Sequence, residues 1–297
     1  LGIVFFCIWK DLVNNWRNIK NVHNERLYWR YILQGDMSMM PIGNEVYNVD
    51  NLSLVGRGLE YTEEDYNHAI KRVVPILKDT RGIAELNAQL SDLAATEFSN
   101  RNLERLLTTS SDYEDWRVGE AMAEAYLADH FNCDFPWPGG RDLKNPNSSP
   151  TGCDLVGFQE KNSSIRFAFG EVKTSSQNQY PPTVVSSRHG LAEQIDSLRE
   201  DTRIKDALVR YLGFHSVNAT WVNKYRAAAV EYLNDDCNVS LFGFLIRDVP
   251  SNLLDLRAKA RKLSLDCSRN TSIELRALYI PLDRIKNFGD DIAKLAG

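Results

Sequence analysis

The chain has 297 residues, of which 43% are hydrophobic and 25% charged. That supplies the apolar material for one large core or two small ones, and it excludes a disordered chain. The formal charge of −5 excludes a uniformly basic surface, so any grip on nucleic acid must come from a local patch or a partner. No run approaches the roughly 20 apolar residues that cross a bilayer, and residues 1–9, though apolar, lack the basic start of a signal peptide. The expectation is a chain with no membrane partner. Cys7, Cys133, Cys153, Cys237 and Cys267 are scattered, without CxxC spacing. They suggest neither a disulfide framework nor a zinc site, and fit a cytoplasmic location; His130 and Cys133 read as packing.

The chain starts with Leu, and Met37, Met39 and Met40 are alternative starts, so residues 1–36 are set aside as a doubtful extension. Residues 37–111 read as a helical N-terminal region. Thr62 followed by Glu63, Glu64 and Asp65 has the form of an N-cap with acidic residues suited to the helix dipole. Helical patterns run on to about residue 78, then over 83–98 and 103–107. Ser111 or Asp112 would cap a further helix over 113–131. Residues 135–151, with four prolines and Gly139-Gly140, have loop chemistry. Runs rich in β-formers follow at 153–159 and 165–174. A helix is expected over 189–200 and others over 204–212 and 217–233. Strands are expected at 239–247 and 272–281, with a short terminal helix. The class is α/β, with residues 112–297 as the main domain and the helical region as its elaboration.

If the runs at 153–159 and 165–174 form an antiparallel hairpin with a loop at 161–164, facing residues have numbers of constant sum. Gln159 then faces Arg166, Phe158 faces Phe167, Val156 faces Phe169 and Asp154 faces Glu171. Lys173, two residues on, shares the face of Glu171. This face is apolar until two carboxylates meet on its last rung. Opposed carboxylates repel, and a divalent cation such as Mg²⁺ removes the conflict, with the lysine free to orient water. On the helix over 113–131, Trp116, Glu120, Ala123, Leu127 and Phe131 share a stripe. Glu120 is thus aimed at the sheet, and Glu124, one turn on, competes with it.

A helical glutamate, an aspartate at a strand start, and Glu171-Val172-Lys173 on the next strand resemble the PD-(D/E)xK nuclease superfamily over about residues 112–281. The resemblance implies a restriction endonuclease-like core of helix, mixed central sheet and crossover helix. It also implies hydrolysis of DNA phosphodiester bonds with Mg²⁺ or Mn²⁺. Asp154 and Glu171 would be metal ligands, Val172 a carbonyl ligand, Lys173 the water-activating lysine, and Glu120 the helical glutamate. Cys153 stands where the family motif often has proline. A second match, Asp142-Leu143-Lys144, falls in the loop and is set aside. Gln194 lies where part of the family has a QxxxY motif, although the tyrosine is absent. Arg141, Lys144, Ser175, Arg188 and Gln194 are the expected nucleic-acid contacts, with His189 a weaker candidate. The cluster Arg257, Lys259, Arg261 and Lys262 reads as a solvated helix face, and Trp137 as a loop anchor. The acidic balance points to a helicase or ATPase partner, or to a homodimer, in an anti-phage or restriction-type role. The rival expectations are an RNA nuclease or repair exonuclease of the same fold, and a non-catalytic interaction module.

Overall fold

The computed structural model describes residues 39–51, 53–108, 113–142, 152–265 and 267–296. Seven strands lie in one mixed sheet: β1 (Asn44–Asn48), β2 (Leu54–Glu60), β3 (Cys133–Asp134), β4 (Leu155–Lys161), β5 (Ser164–Ser175), β6 (Ser240–Arg247) and β7 (Ser272–Tyr279). Their order across the sheet is β1-β2-β7-β6-β5-β4-β3. The central strands β2, β7, β6 and β5 run parallel, while β1, β4 and β3 pair antiparallel at the two edges. Every residue of β6 is buried, as its nearly unbroken apolar sequence requires of a parallel strand covered on both faces.

Helices cover both faces. On one lie α1 (Glu63–Leu77), α4 (Asp115–Phe131) and α10 (Phe288–Ala296). There Val118, Ala121 and Met122 of α4 share a core with Ala168, Val172, Phe244 and Ile246 of the sheet. On the other face lie α6 (Leu191–Glu200), α8 (Val222–Asn234) and α9 (Leu254–Ser264), whose Leu191, Ile195, Ala228 and Leu256 join Phe167, Phe169, Leu241 and Leu245. Among the described residues the other α-helices are α2 (Thr80–Leu90), α3 (Glu97–Leu107), the single turn α5 (Thr183–Ser186) and α7 (Thr202–Ser216). The described residues from Met40 onward pack as one unit.

The helical reading of residues 37–111 is corrected by β1 and β2, which extend the sheet. Their sequences hide this: β2 carries two glycines, which weaken a strand pattern. The glycine at 58 serves a close approach, since a Cβ there would lie 2.3 Å from Cε1 of Tyr47 on β1. Thr62 does cap α1, in a capping box in which its side chain accepts from Asp65 N and the Asp65 carboxylate accepts from Thr62 N. The helix expected over 83–98 is broken by a 3₁₀ turn, Ser91–Leu93, and restarts behind a Thr96 cap. The expected caps Ser111 and Asp112 lie outside the described residues. The hairpin register is as expected, with Val156 opposite Phe169, Phe158 opposite Phe167 and Gln159 opposite Arg166. Its loop is shorter than four residues. Asn162 (φ 53°) and Ser163 (φ 63°) form a two-residue connection with both φ positive, as a type I′ hairpin turn demands.

Candidate metal centre

β5 outruns its hairpin partner. The pairing with β4 stops at Leu155 opposite Gly170, whereas the pairing with β6 continues to Ser175. The stretch beyond Gly170 therefore has an open edge on the β4 side, and Asp154 turns across it. Its Oδ2 accepts from the Val172 N–H at 2.7 Å, standing in for the missing strand. The N–H and carbonyl of one strand residue leave on the same side, so the Val172 carbonyl faces that edge too. Cys153 is fastened behind Asp154, its thiol donating to Gly170 O at 3.0 Å. Burial, with the charges of Glu171 and Asp154, pushes this thiol well above its ordinary value and keeps it a donor.

Glu171 alternates onto the face of Phe167 and Phe169, beneath α6. Its neighbour across the ladder is Gly243, and a Cβ there would touch Ile195 and Leu191 of α6 at 3.5 and 3.6 Å. Glu171 is only 2% exposed. Lys173 Nζ donates to Glu171 Oε1 at 2.5 Å. Burial first, and then the Asp154 charge, push Glu171 up to about 8, against the pull of Lys173. Burial also raises Asp154, opposed by the Val172 N–H and Lys173. The two carboxyl groups act on each other, and burial drives both toward the protonated form. Buried carboxyl groups from Asp154 and Glu171, with one ammonium on Glu171, make an all-oxygen donor set of the kind that fits Mg²⁺ or Mn²⁺.

Glu120 stands on α4, which packs on the opposite face of β5. It is buried, and Arg117 Nη1 donates to its Oε2 at 2.9 Å. Burial and then the Asp154 charge push it up to about 7. It therefore feels the pair without joining it. Among the described residues, the one group of three or more His, Cys or carboxylate ligand atoms lying within 4.8 Å of one another is Asp235, Asp236 and Cys237. Those side chains are already occupied: Asp235 accepts from Cys237 N and Asn270 Nδ2, and Asp236 accepts from Thr202 Oγ1. Glu124 is also pushed up to about 7, by burial first, with the charges of Arg117, Asp79, Arg72 and Asp134 acting on it.

The expected nucleic-acid contacts divide. Arg141 makes a two-pronged ion pair with Asp79, Nε to Oδ2 at 2.6 Å and Nη2 to Oδ1 at 2.7 Å, tying its turn to the start of α2. Ser175 is buried, its hydroxyl and carbonyl both accepting from Arg247 Nη1. Both are thus engaged within the fold instead of free for a phosphate. Arg188 is exposed, as is His189, which adopts φ 73° just before α6. Lys144 lies outside the described residues. Gln194 sits on α6 with Oε1 buried and unpartnered. Asp196 and Arg199 reach Lys262 and Leu263 O of α9, and by the helical period Gln194 is on the opposite side, toward β5. Trp137 stacks on His215 at 4.2 Å and donates to Asp142, so it is a loop anchor. On α9, Arg257, Arg261 and Lys262 are exposed.

Sequence reasoning missed Arg117, although its spacing three residues before Glu120 on a helix is a signal for such a pair. It also missed Arg247, for which the local pattern carries no sign. No protein-family model matches this chain, and no curated protein matches it either.

Proposed function

We propose that this chain is a Mg²⁺- or Mn²⁺-dependent nuclease of the PD-(D/E)xK type that hydrolyses DNA phosphodiester bonds. The observation that carries the reading is Asp154 held on the Val172 N–H at an open strand edge, next to buried Glu171 and its partner Lys173. Support also comes from the order of elements, α4, then β3, β4 and β5, then α6 and β6, with β5 and β6 parallel. The order agrees with the helix, mixed sheet and crossover helix expected of that type, with α5, α7 and α8 as further helices between β5 and β6.

In this reading Asp154, Glu171 and the Val172 carbonyl hold the cation, which supplies Lewis-acid stabilisation of the phosphate when bound. Lys173, paired to Glu171, orients the attacking water and offsets developing negative charge. Glu120 assists from α4, and Gln194 reaches the substrate from α6. The acidic chain finds its DNA with a helicase or ATPase partner or as a homodimer, in a defence-type role.

Purified protein with Mg²⁺ should cut plasmid or linear DNA. Glu171→Ala and Lys173→Ala should each lose activity by roughly 10²–10⁴-fold. A panel of single-stranded, linear and circular DNA and of RNA decides the substrate. Failure of the wild type to cut any of them, with or without the products of neighbouring genes, would sink the reading.

A further inference from the structure

Glu120 is held between two claims. On one side is Arg117, whose Nη1 donates to Oε2 at 2.9 Å; the side chains are 18% and 9% exposed. On the other side is Asp154, close enough for its charge to act on Glu120, although Glu120, Asp154 and Glu171 do not converge within 4.8 Å of one another. Arg117 differs from the other basic side chains of this region. Lys173 is paired to Glu171, Arg141 is forked onto Asp79, and Arg247 is fully buried among Ser175, Gln179 and Asp255. Among the described residues, the guanidinium of Arg117 makes one hydrogen bond, from Nη1 to Glu120. Its Nη2 faces the turn Gly139–Asp142, where a Cβ on Gly140 would be 3.8 Å away.

We propose that Arg117 is a latch opened by the metal: it holds Glu120 back from Asp154 and Glu171, and on release it binds a backbone phosphate of the nucleic acid. This rests on the metal site proposed above. The pair lies largely out of water, so opening it takes a competitor of higher charge, which a divalent ion in contact with the Glu120 carboxylate is. When Glu120 turns toward Asp154, Arg117 is left half-buried with all its donors unpaired. A planar guanidinium in that state is matched to phosphate oxygens. Until then the two nearest cations are engaged, Arg117 on Glu120 and Lys173 on Glu171, and Asp154 faces a phosphate backbone without one. The latch thus ties the appearance of a phosphate-binding cation to the presence of the metal.

The test is a double-mutant cycle on Mn²⁺ binding, measured calorimetrically on the full chain for wild type, Arg117→Gln, Glu120→Gln and the double variant. Freeing Glu120 by Arg117→Gln should tighten Mn²⁺ roughly three- to tenfold, and that gain should vanish in the Glu120→Gln background. A gain that persists without Glu120 would be a bare charge effect and would overturn the latch, as would no gain at all. The phosphate arm uses thymidine 5′-monophosphate, which has no phosphodiester to cut. With Mn²⁺ present its affinity should fall roughly tenfold in Arg117→Gln and less in Arg117→Lys, which keeps the charge and loses the fork. Equal affinity in all three overturns the phosphate role. Wild type that binds no Mn²⁺ overturns the metal site itself and the latch with it, whereas Mn²⁺ binding without coupling overturns the latch alone.

Discussion

At Glu171 two carboxyl groups and one ammonium compete for the end of a strand, and without a metal the conflict is settled by a proton. Its carboxyl moves from an ordinary 4.5 to about 8 on folding. The folded chain therefore keeps a proton that the unfolded chain releases. The sign follows: this contribution is fully present below about pH 4.5 and is lost as the pH rises through about 8. Two outcomes are expected in thermal melts between pH 5 and 9. Glu171→Gln should flatten the alkaline loss and melt higher than wild type at pH 8.5, by roughly 2–4 °C for each kcal/mol recovered. Millimolar Mg²⁺ should raise the wild-type midpoint more at pH 8.5 than at pH 6, and should not do so in Glu171→Gln. Parallel pH curves for the two proteins would contradict this. Asp154, Glu171 and Lys173 were legible in the sequence because a strand's side-chain period is two and the hairpin register follows from its turn. The partners that Arg141 and Ser175 take within the fold were not legible, for the opposite reason. Their partners, Asp79 and Arg247, lie 62 and 72 residues away in the chain, beyond any local pattern.

Between elements, the decisive spacing is that of α4 and β5, because it sets how near Glu120 comes to Asp154. Gly119 lies at their contact. A Cβ there would be 2.3 Å from Thr174 Oγ1, itself buried without a partner. Gly119→Ala should force the helix and strand apart at a cost of about 1–3 kcal/mol in urea denaturation. Adding Thr174→Ala should recover part of that loss, because it removes the atom in collision. An unchanged midpoint for Gly119→Ala would mean that α4 does not sit this close. The elements flanking the contact were readable. α4 and the hairpin are long and apolar enough for their period to show, and β6 is a continuous apolar run. β1 and β2 were not readable, since NEVYN and LVGRGLE show little alternation and become strands by pairing with each other and with β7. α2 and α3 have no buried residue, so the sheet gives no constraint on where one ends and the other begins.

Across the whole unit, the parallel strands end on a buried ionic knot. Arg247, at the end of β6, has no exposed surface; its Nη1 donates to Ser175 O and Oγ, and its Nη2 to Gln179 O at 3.0 Å. Its Nε lies 3.3 Å from Asp255 Oδ2 of α9. Tyr279, at the end of β7, donates to the same Oδ2 at 2.9 Å and meets the Tyr47 hydroxyl of β1 at 2.7 Å. One guanidinium thus joins the ends of β5 and β6 to α9, and through Tyr279 to β7 and β1. Removing one partner of a buried pair leaves the other charge uncompensated, which costs about 3–5 kcal/mol. Asp255→Ala should therefore destabilise by that amount in urea unfolding, and Tyr279→Phe by only about 1–2 kcal/mol, the loss of a hydrogen bond to a charged group. Replacing both charges by apolar residues is often harmless in a simple buried pair. Here it should not be, because Ser175 O and Gln179 O would lose the donor that binds the chain leaving β5, two residues past Lys173. Arg247→Met with Asp255→Leu should thus remain destabilised and should exchange amide hydrogens faster over residues 175–180. Wild-type stability in that double variant would reduce the knot to an ordinary ion pair with no hold on the edge of the candidate site.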